Sequence, residues 1–392
     1  KKIAILGSTG SIGKTLLNII KNDKKNFEIL LLTANQNHKE LLNQAIRFKV
    51  KNLIITNLDS YNYLKKKKTN INIYNNFNSF DKIFKNKVDY VMSSITGIDG
   101  LLPTLNCIKF TKKIAIANKE SIICGWNLIK YELFKNKTLF VPVDSEHFSL
   151  WYGFKNLDIK QTEQIILTAS GGPLYNTSIK KFKKIKIAQA LNHPNWKMGK
   201  KISIDSATLI NKIYEVIEAR NIFDIPYNKI KILIHPKSYI HALLKFDNGL
   251  IKIIAHDTTM KIPIFNTLYF NNKKKIKSNI INIKLLNNLN LKKPDPKRYP
   301  MMKLLNFLPK KNSLYETVIV SANDVLVELF LNKKILFTDI QKKLFNVLNS
   351  KEFKKYKKIQ PKKITDIVNL NNYVRLKLIK NVYKSSLNAK NK

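Results

Sequence analysis

The sequence predicts an α/β protein in three parts: an N-terminal doubly wound parallel-sheet domain over 1–143, a central α+β domain over 144–280 and, beyond a linker at 281–304, a small C-terminal helical domain over 305–392. Three observations carry this expectation. Short apolar runs alternate with helical patterns up to residue 143, strand-like and helical runs mix after it, and helical periodicity dominates the last stretch. A chain of 392 residues, 44% of them hydrophobic, is also too long for one compact core and suits two or three domains.

Taken in order, the strand-like runs of the first part are "KIAIL", "FEILLLT", "NLIIT", "YVMSSI", "KIAIA" and "LFVPV". The strand candidates of the central part are "QIILTAS", "IKILI" and "LIKIIAH". "NLKKPDPKRYP" is charged and carries prolines, which suits a linker or strap. After it, "ANDVLVELFL" is the clearest helical pattern, and no internal repeat is present.

With 71 basic and 26 acidic residues, the net charge of +45 would ordinarily point to nucleic acid or an anionic membrane. Arginine, the preferred residue for phosphate forks and base edges, stands only at Arg47, Arg220, Arg298 and Arg375, whereas lysine is spread throughout. Runs such as Lys65 to Lys68 read as solvated surface. The expectation is therefore no nucleic-acid and no membrane partner, with a basic field that favours anionic small molecules. No run of 18 apolar residues occurs, and "KKIAILGSTG" is already strand and turn, so neither a membrane span nor a signal or transit segment is expected and the setting is read as cytoplasmic. Cys107 and Cys124 have no metal spacing and are read as structural.

"GSTGSIG" sets Gly7, Gly10 and Gly13 between the strand "KIAIL" and the helical "KTLLNII". Glycines there permit a tight turn and let a pyrophosphate approach a helix N-terminus, as in a Rossmann-like domain; a plain glycine turn is the competing reading. "ANKES" puts Lys119 and Glu120 at the end of another strand, either beside a ligand or at an ordinary helix start. In "VPVDSEHFSL", Asp144 and Glu146 project to one side if the strand continues, giving two hard oxygen ligands for Mg²⁺ or Mn²⁺; the alternative is a helix N-cap with an acidic first turn. In "DSATLINKIYEVIEAR", Leu209, Ile210, Ile213, Val216 and Ile217 share one helix face, while Asn211, Glu215 and Glu218 form a polar stripe with Lys212 beside it. That stripe lines a cleft or is a solvated face with helix salt pairs. "TASGGP" offers Ser170 with the amides of Gly171 and Gly172 to a phosphate, or is a plain turn. "HPNWKMG" suits a loop that closes over a ligand, or a structural histidine beside a core tryptophan.

Together, in this order, "GSTGSIG", "GLLPTL", "ANKES", "PVDSEH", "SGGP", "HPNW-MG" and "DSAT-INK--E" resemble the 1-deoxy-D-xylulose 5-phosphate reductoisomerase family over essentially the whole chain. The resemblance implies an NADPH- and divalent-metal-dependent enzyme of the non-mevalonate isoprenoid pathway. Its substrate would be a phosphorylated sugar, rearranged and then reduced to 2-C-methyl-D-erythritol 4-phosphate, and the enzyme would be a homodimer built on the central domain. Carried over residue by residue, it implies metal ligands Asp144, Glu146 and Glu215; substrate contacts from Lys119, Ser145 and His193; a phosphate clamp of Ser170, Ser206, Asn211 and Lys212; and lid residues Trp196 and Met198. Cofactor contacts would come from Thr9, Gly10, Ser11, Ile12, Ala34, Asn35, Gln36, Asn37, Asn118, Lys119, Glu120 and Gly199. Ile213 and the stretch "AHDTTM" depart from the family pattern beside the clamp and lid. Gln36 stands where the family carries a basic residue, with His38 and Lys39 following. As no acid ends the second strand, NADPH is expected in preference to NADH.

Overall fold

The computed structural model describes residues 1–67, 69–270 and 274–390; Lys68, which ends the lysine run, and the last two residues of the C-terminal part lie outside them. The chain forms two compact units, one of Lys1–Ser121, Asn127–Trp151 and Thr259–Ser278, the other of Ile122–Trp126, Tyr152–Thr258 and the chain from Asn279 onward.

The first unit holds seven strands: β1 (Lys2–Leu6), β2 (Glu28–Ala34), β3 (Asn52–Ile55), β4 (Asn72–Tyr74), β5 (Tyr90–Ser93), β6 (Lys113–Ile116) and β7 (Leu139–Pro142). They pair in parallel in the order β4-β3-β2-β1-β5-β6-β7. All-parallel pairing demands crossovers that cover both faces, and the strands are accordingly apolar along their length. Ile3, Ile5, Leu32, Leu53 and Met92 pack with Leu16 and Ile20 of helix Ser11–Lys21 and with Ile264 and Leu268 of helix Lys261–Tyr269. That last helix rejoins this unit from late in the sequence and is tied to it by Tyr90 Oη to Thr267 Oγ1 at 2.9 Å and by the Tyr269 hydroxyl, which donates to Asp23 at 2.7 Å. The six strands read from sequence all form. β4 has no such signal in the sequence because three residues, one of them Asn72, followed by Asn75 and Asn76 give too short a period.

The chain order turns back between β1 and β5, so the carboxyl ends of these strands are the place where an open sheet of this kind takes a ligand. The glycine turn lies at that end. A Cβ on Gly13 would sit 2.5 Å from the Ser8 Cα, so only glycine lets the helix pack this close to the turn.

The second unit contains β8 (Thr162–Ala169), β9 (Ile230–Ile234), β10 (Ile240–Phe246) and β11 (Ile251–Ala255), ordered β11-β10-β8-β9, with β8 and β9 parallel and the other pairs antiparallel. β10 was not read from sequence, its Ala242-Leu243-Leu244 core fitting either period. Helix Leu314–Leu331, entered through a Ser313/Glu316 capping box, is buried nearly all round and packs against helices Phe337–Asn349 and Ile364–Lys390. Among the described residues no helix is long and apolar enough to cross a membrane. Both cysteines are buried and unbridged.

Candidate active site

In the first unit, Gly10 caps helix Ser11–Lys21 in an extended conformation with no side-chain hydrogen bond, and no acid stands in the first turn. The amides that open the helix therefore face outward with the positive end of its dipole uncompensated, which suits a pyrophosphate. The glycine turn is laced to the second strand: Thr33 accepts from Ser8 N at 2.9 Å through its carbonyl and from Gly7 N at 2.9 Å through Oγ1. The end of β2 thus sits beside the turn, and Asn35, Gln36 and Asn37 are exposed there with no carboxylate among them.

Helix Lys119–Lys135 starts directly after β6, capped by Asn118, whose side chain accepts from Ser121 N at 2.7 Å. Lys119 is both the helix start and a site residue, since its Nζ lies 2.7 Å from Asp144 Oδ2. The strand before Asp144 does not continue: β7 ends at Pro142 and helix Ser145–Gly153 begins, with Glu146 in its first turn. The expectation that alternation along a strand aligns Asp144 with Glu146 is corrected accordingly, because the two carboxylates straddle a helix start. Asp144 Oδ1 accepts from Ser145 N at 3.1 Å, and Ser145 Oγ donates to Glu146 at 2.6 Å. Burial would raise the Asp144 carboxyl, but the Lys119 ammonium and the His147 ring, 3.6 Å away, outweigh it and hold the group well below the ordinary carboxylate range.

In the second unit, helices Lys200–Thr208 and Ile210–Phe223 are separated by Leu209 in a left-handed conformation. The second helix is buried on its polar stripe as well as its apolar face: Lys212 is 3% exposed, Glu215 1% and Glu218 1%. A solvated stripe of surface salt pairs is thereby excluded. Glu215 takes an ion pair from Lys212 and a hydrogen bond from Asn211 at 2.5 Å. Desolvation makes such a buried cluster expensive unless its charges are used.

After β8 the chain turns through Gly171 and Gly172, both with positive φ. A Cβ on Gly172 would lie 2.5 Å from the Ser206 carbonyl oxygen, so glycine is what seats the turn on the helix bearing Ser206. Ser170 Oγ accepts from Gly172 N at 3.0 Å and contacts His193 Nε2 at 2.9 Å. The tautomer follows from the other ring nitrogen, which accepts from Asn195 N at 3.2 Å and Trp196 N at 3.0 Å; Nε2 therefore carries the proton and gives it to Ser170. With its oxygen accepting twice, Ser170 has its own proton to offer a ligand. Trp196 meets His241 edge-on at 6.2 Å, and His241 stacks on His256 at 3.7 Å, so the His241 ring links Trp196 to the first residues of the "AHDTTM" stretch. Two residues had no signal in the sequence. Tyr299 donates to Gly171 O at 2.8 Å, and Arg298 donates to the carbonyls of Leu174 and Thr177 at 2.9 and 2.8 Å, so the proline-bearing strap braces the turn from more than a hundred residues away.

Burial lowers the His193 pKa from 6.5 to about 4, consistent with the neutral tautomer. The unfolded chain accordingly takes up this proton first as pH falls. The stability contributed by neutral His193 is complete above about pH 6.5 and is lost progressively toward about pH 4. We expect His193→Gln to flatten the fall in Tm over that window in thermal melts; equal slopes in the two proteins would show that His193 does not titrate this way.

These features describe an α/β protein whose glycine turn and uncompensated helix start suit a dinucleotide. Comparison with known proteins agrees and narrows the class. Family profiles described as 1-deoxy-D-xylulose 5-phosphate reductoisomerase, the C-terminal domain of that enzyme and the DXP reductoisomerase C-terminal domain match residues 3–125, 140–223 and 257–377. The 1-deoxy-D-xylulose 5-phosphate reductoisomerase of Pelagibacter ubique (strain HTCC1062) is 58% identical over 382 residues, covering 96% of this chain and 98% of the relative. The solved Zymomonas mobilis enzyme in complex with NADPH is 31% identical with a TM-score of 0.86, covering 97% of this chain and 99% of that one. A DOX-P reductoisomerase structure with NADPH, fosmidomycin and magnesium is 30% identical with a TM-score of 0.89, covering 98% of each. The chain belongs to the 1-deoxy-D-xylulose 5-phosphate reductoisomerase family.

Proposed function

We propose that the glycine-turn unit binds NADPH, that Asp144, Glu146 and Glu215 hold the divalent cation, and that Ser170, Ser206, Asn211 and Lys212 clamp the substrate phosphate. The enzyme catalyses the NADPH- and metal-dependent conversion of 1-deoxy-D-xylulose 5-phosphate to 2-C-methyl-D-erythritol 4-phosphate. The residues present suit both groups. The helix opening at Gly10 carries no acid, and the three carboxylates are hard oxygen donors of the kind Mg²⁺ or Mn²⁺ takes. When bound, the cation supplies Lewis-acid polarisation of the substrate carbonyl and NADPH supplies the hydride.

The chain's own groups do the rest. Ser170, held by His193 and Gly172, donates its proton to a phosphate oxygen, and Lys212 supplies a charge-assisted partner. Lys119 and Ser145 meet the oxygen-bearing carbons, with the ammonium beside developing negative charge. The observation that carries this reading is the single helix bearing Asn211, Lys212 and Glu215: one rigid element sets the spacing between phosphate and reacting oxygens. Trp196 and Met198 form the lid. The N-terminal part to 143, the catalytic part 144–280, the strap 281–304 and the helical part 305–392 divide these tasks.

A homodimer built on the central part, 144–280, and a cytoplasmic setting belong to the same proposal. In favour of the dimer, β11 is an edge strand with Ile251 60% and Ile253 46% exposed, an apolar edge that pairing would cover. The experiment that tests the roles is to incubate the protein with 1-deoxy-D-xylulose 5-phosphate, NADPH and Mg²⁺ and identify the product by NMR. 2-C-methyl-D-erythritol 4-phosphate is expected from the wild type, with loss in Ser170→Ala at low substrate recovered at high substrate. A Ser170→Ala defect that substrate cannot relieve would remove Ser170 from the clamp.

A further inference from the structure

Beyond the family's reaction, the end of β2 carries a feature of this chain's own. His38 is the first residue of helix His38–Phe48, and its ring is fixed on two sides. Nδ1 lies 3.2 Å from the Gln36 carbonyl and 3.2 Å from Ser60 Oγ, while the ring meets Tyr63 at 4.5 Å between centroids. Ser60 gives its own proton to the Gln36 carbonyl at 2.9 Å. Both neighbours of Nδ1 are therefore acceptors, so Nδ1 bears the ring proton. Nε2 has no hydrogen-bond partner among the described residues. In the neutral ring it is a lone pair and repels an anion; in the imidazolium it is a donor.

A 2′-phosphate at the ring would also meet the charged groups around it. The charged groups on the elements around the ring are Lys39 and Glu40 on its own helix, Asp59 and Lys65 on helix Leu58–Lys65, and Lys67, which lies 5.1 Å from the Tyr63 ring centroid. Glu40 is engaged by Lys14 at 3.6 Å and by Gln44 at 3.1 Å, so the balance at the ring is cationic. The place is where doubly wound sheets meet the ribose 2′ position, beside a glycine turn tied to β2.

We propose that His38 selects the 2′-phosphorylated dinucleotide, its Nδ1–H anchored on Gln36 and Ser60 and its Nε2 taking a proton from solvent to donate to the 2′-phosphate. This rests on the reading of the glycine-turn unit as the cofactor site. Gln36, which carries no charge, serves through its backbone as the anchor of the ring. Binding of NADPH then consumes a proton that binding of NADH does not.

The test uses the full chain without substrate or metal. Dissociation constants for NADPH and NADH are read from nicotinamide fluorescence in wild type, His38→Ala and His38→Gln, and proton uptake from calorimetry in two buffers of different ionisation enthalpy. Loss of a charge-assisted contact should weaken NADPH by about tenfold or more while leaving NADH unchanged, and the glutamine variant should take up fewer protons on binding NADPH than the wild type. Equal losses for both cofactors, or an unchanged preference and unchanged proton uptake in the variants, would overturn the assignment to His38 alone. A wild type that bound NADPH no better than NADH would overturn both it and the cofactor reading on which it rests.

Discussion

Glu215→Gln is expected to lower turnover by more than about a hundredfold, since even the groups that merely support metal ligands cost 10- to 100-fold when lost. The substitution keeps the shape of the side chain and removes its charge. It also leaves Lys212, 3% exposed, without the carboxylate it pairs with, so the fold should lose stability as well as activity. Two readouts separate these effects. NADPH binding, followed by fluorescence, should be retained, because the glycine turn belongs to the other unit. Mg²⁺ should raise the Tm of the wild type and not that of the variant, since only a protein that binds the ion is stabilised by it. Turnover and Mg²⁺ stabilisation like the wild type's would take Glu215 out of the metal site.

The second large effect is expected from Lys212→Ala. A charge-assisted contact to phosphate contributes on the order of 1.5 to 3 kcal/mol, so the phosphorylated substrate should bind roughly 10- to 100-fold more weakly. The dephosphorylated sugar, which never used the contact, should be affected much less. Because Lys212 and Glu215 share one helix and one ion pair, their losses will not add, and the double variant Lys212→Ala/Glu215→Gln should be milder than the sum of the two. If both sugars lose affinity equally, Lys212 supports Glu215 and does not grip the phosphate.

Much of this was legible in the sequence because the relevant signals are local. Gly7, Gly10 and Gly13 sit between a strand and a helix that their own neighbours specify, and the six longer strands of the first sheet announce themselves by composition. The order of the short motifs along the chain is by itself enough to point to the family. What stayed hidden depends on tertiary context. Nothing in "INKIYEVIE" says that its polar stripe is buried, since the same spacing serves a solvated face, and only the surrounding strands and helices decide it. Asp144 and Glu146 can be read either on a strand or at a helix start because Val141, Pro142 and Val143 carry an apolar run to the very start of the helix, and the structure has the helix start. Tyr299 and its hold on Gly171, like Ser60 and its hold on His38, join residues far apart in sequence, and no periodicity records such contacts.

The most direct measurement is NADPH oxidation, followed by its near-ultraviolet absorbance, with 1-deoxy-D-xylulose 5-phosphate as substrate, first with Mg²⁺ and then with a chelator in its place. Rapid oxidation that needs both the sugar phosphate and the metal, and that stops in the chelator, is the predicted result. Oxidation at the same rate in the chelator, or none with sugar and metal both present, would contradict a metal-dependent reductoisomerase.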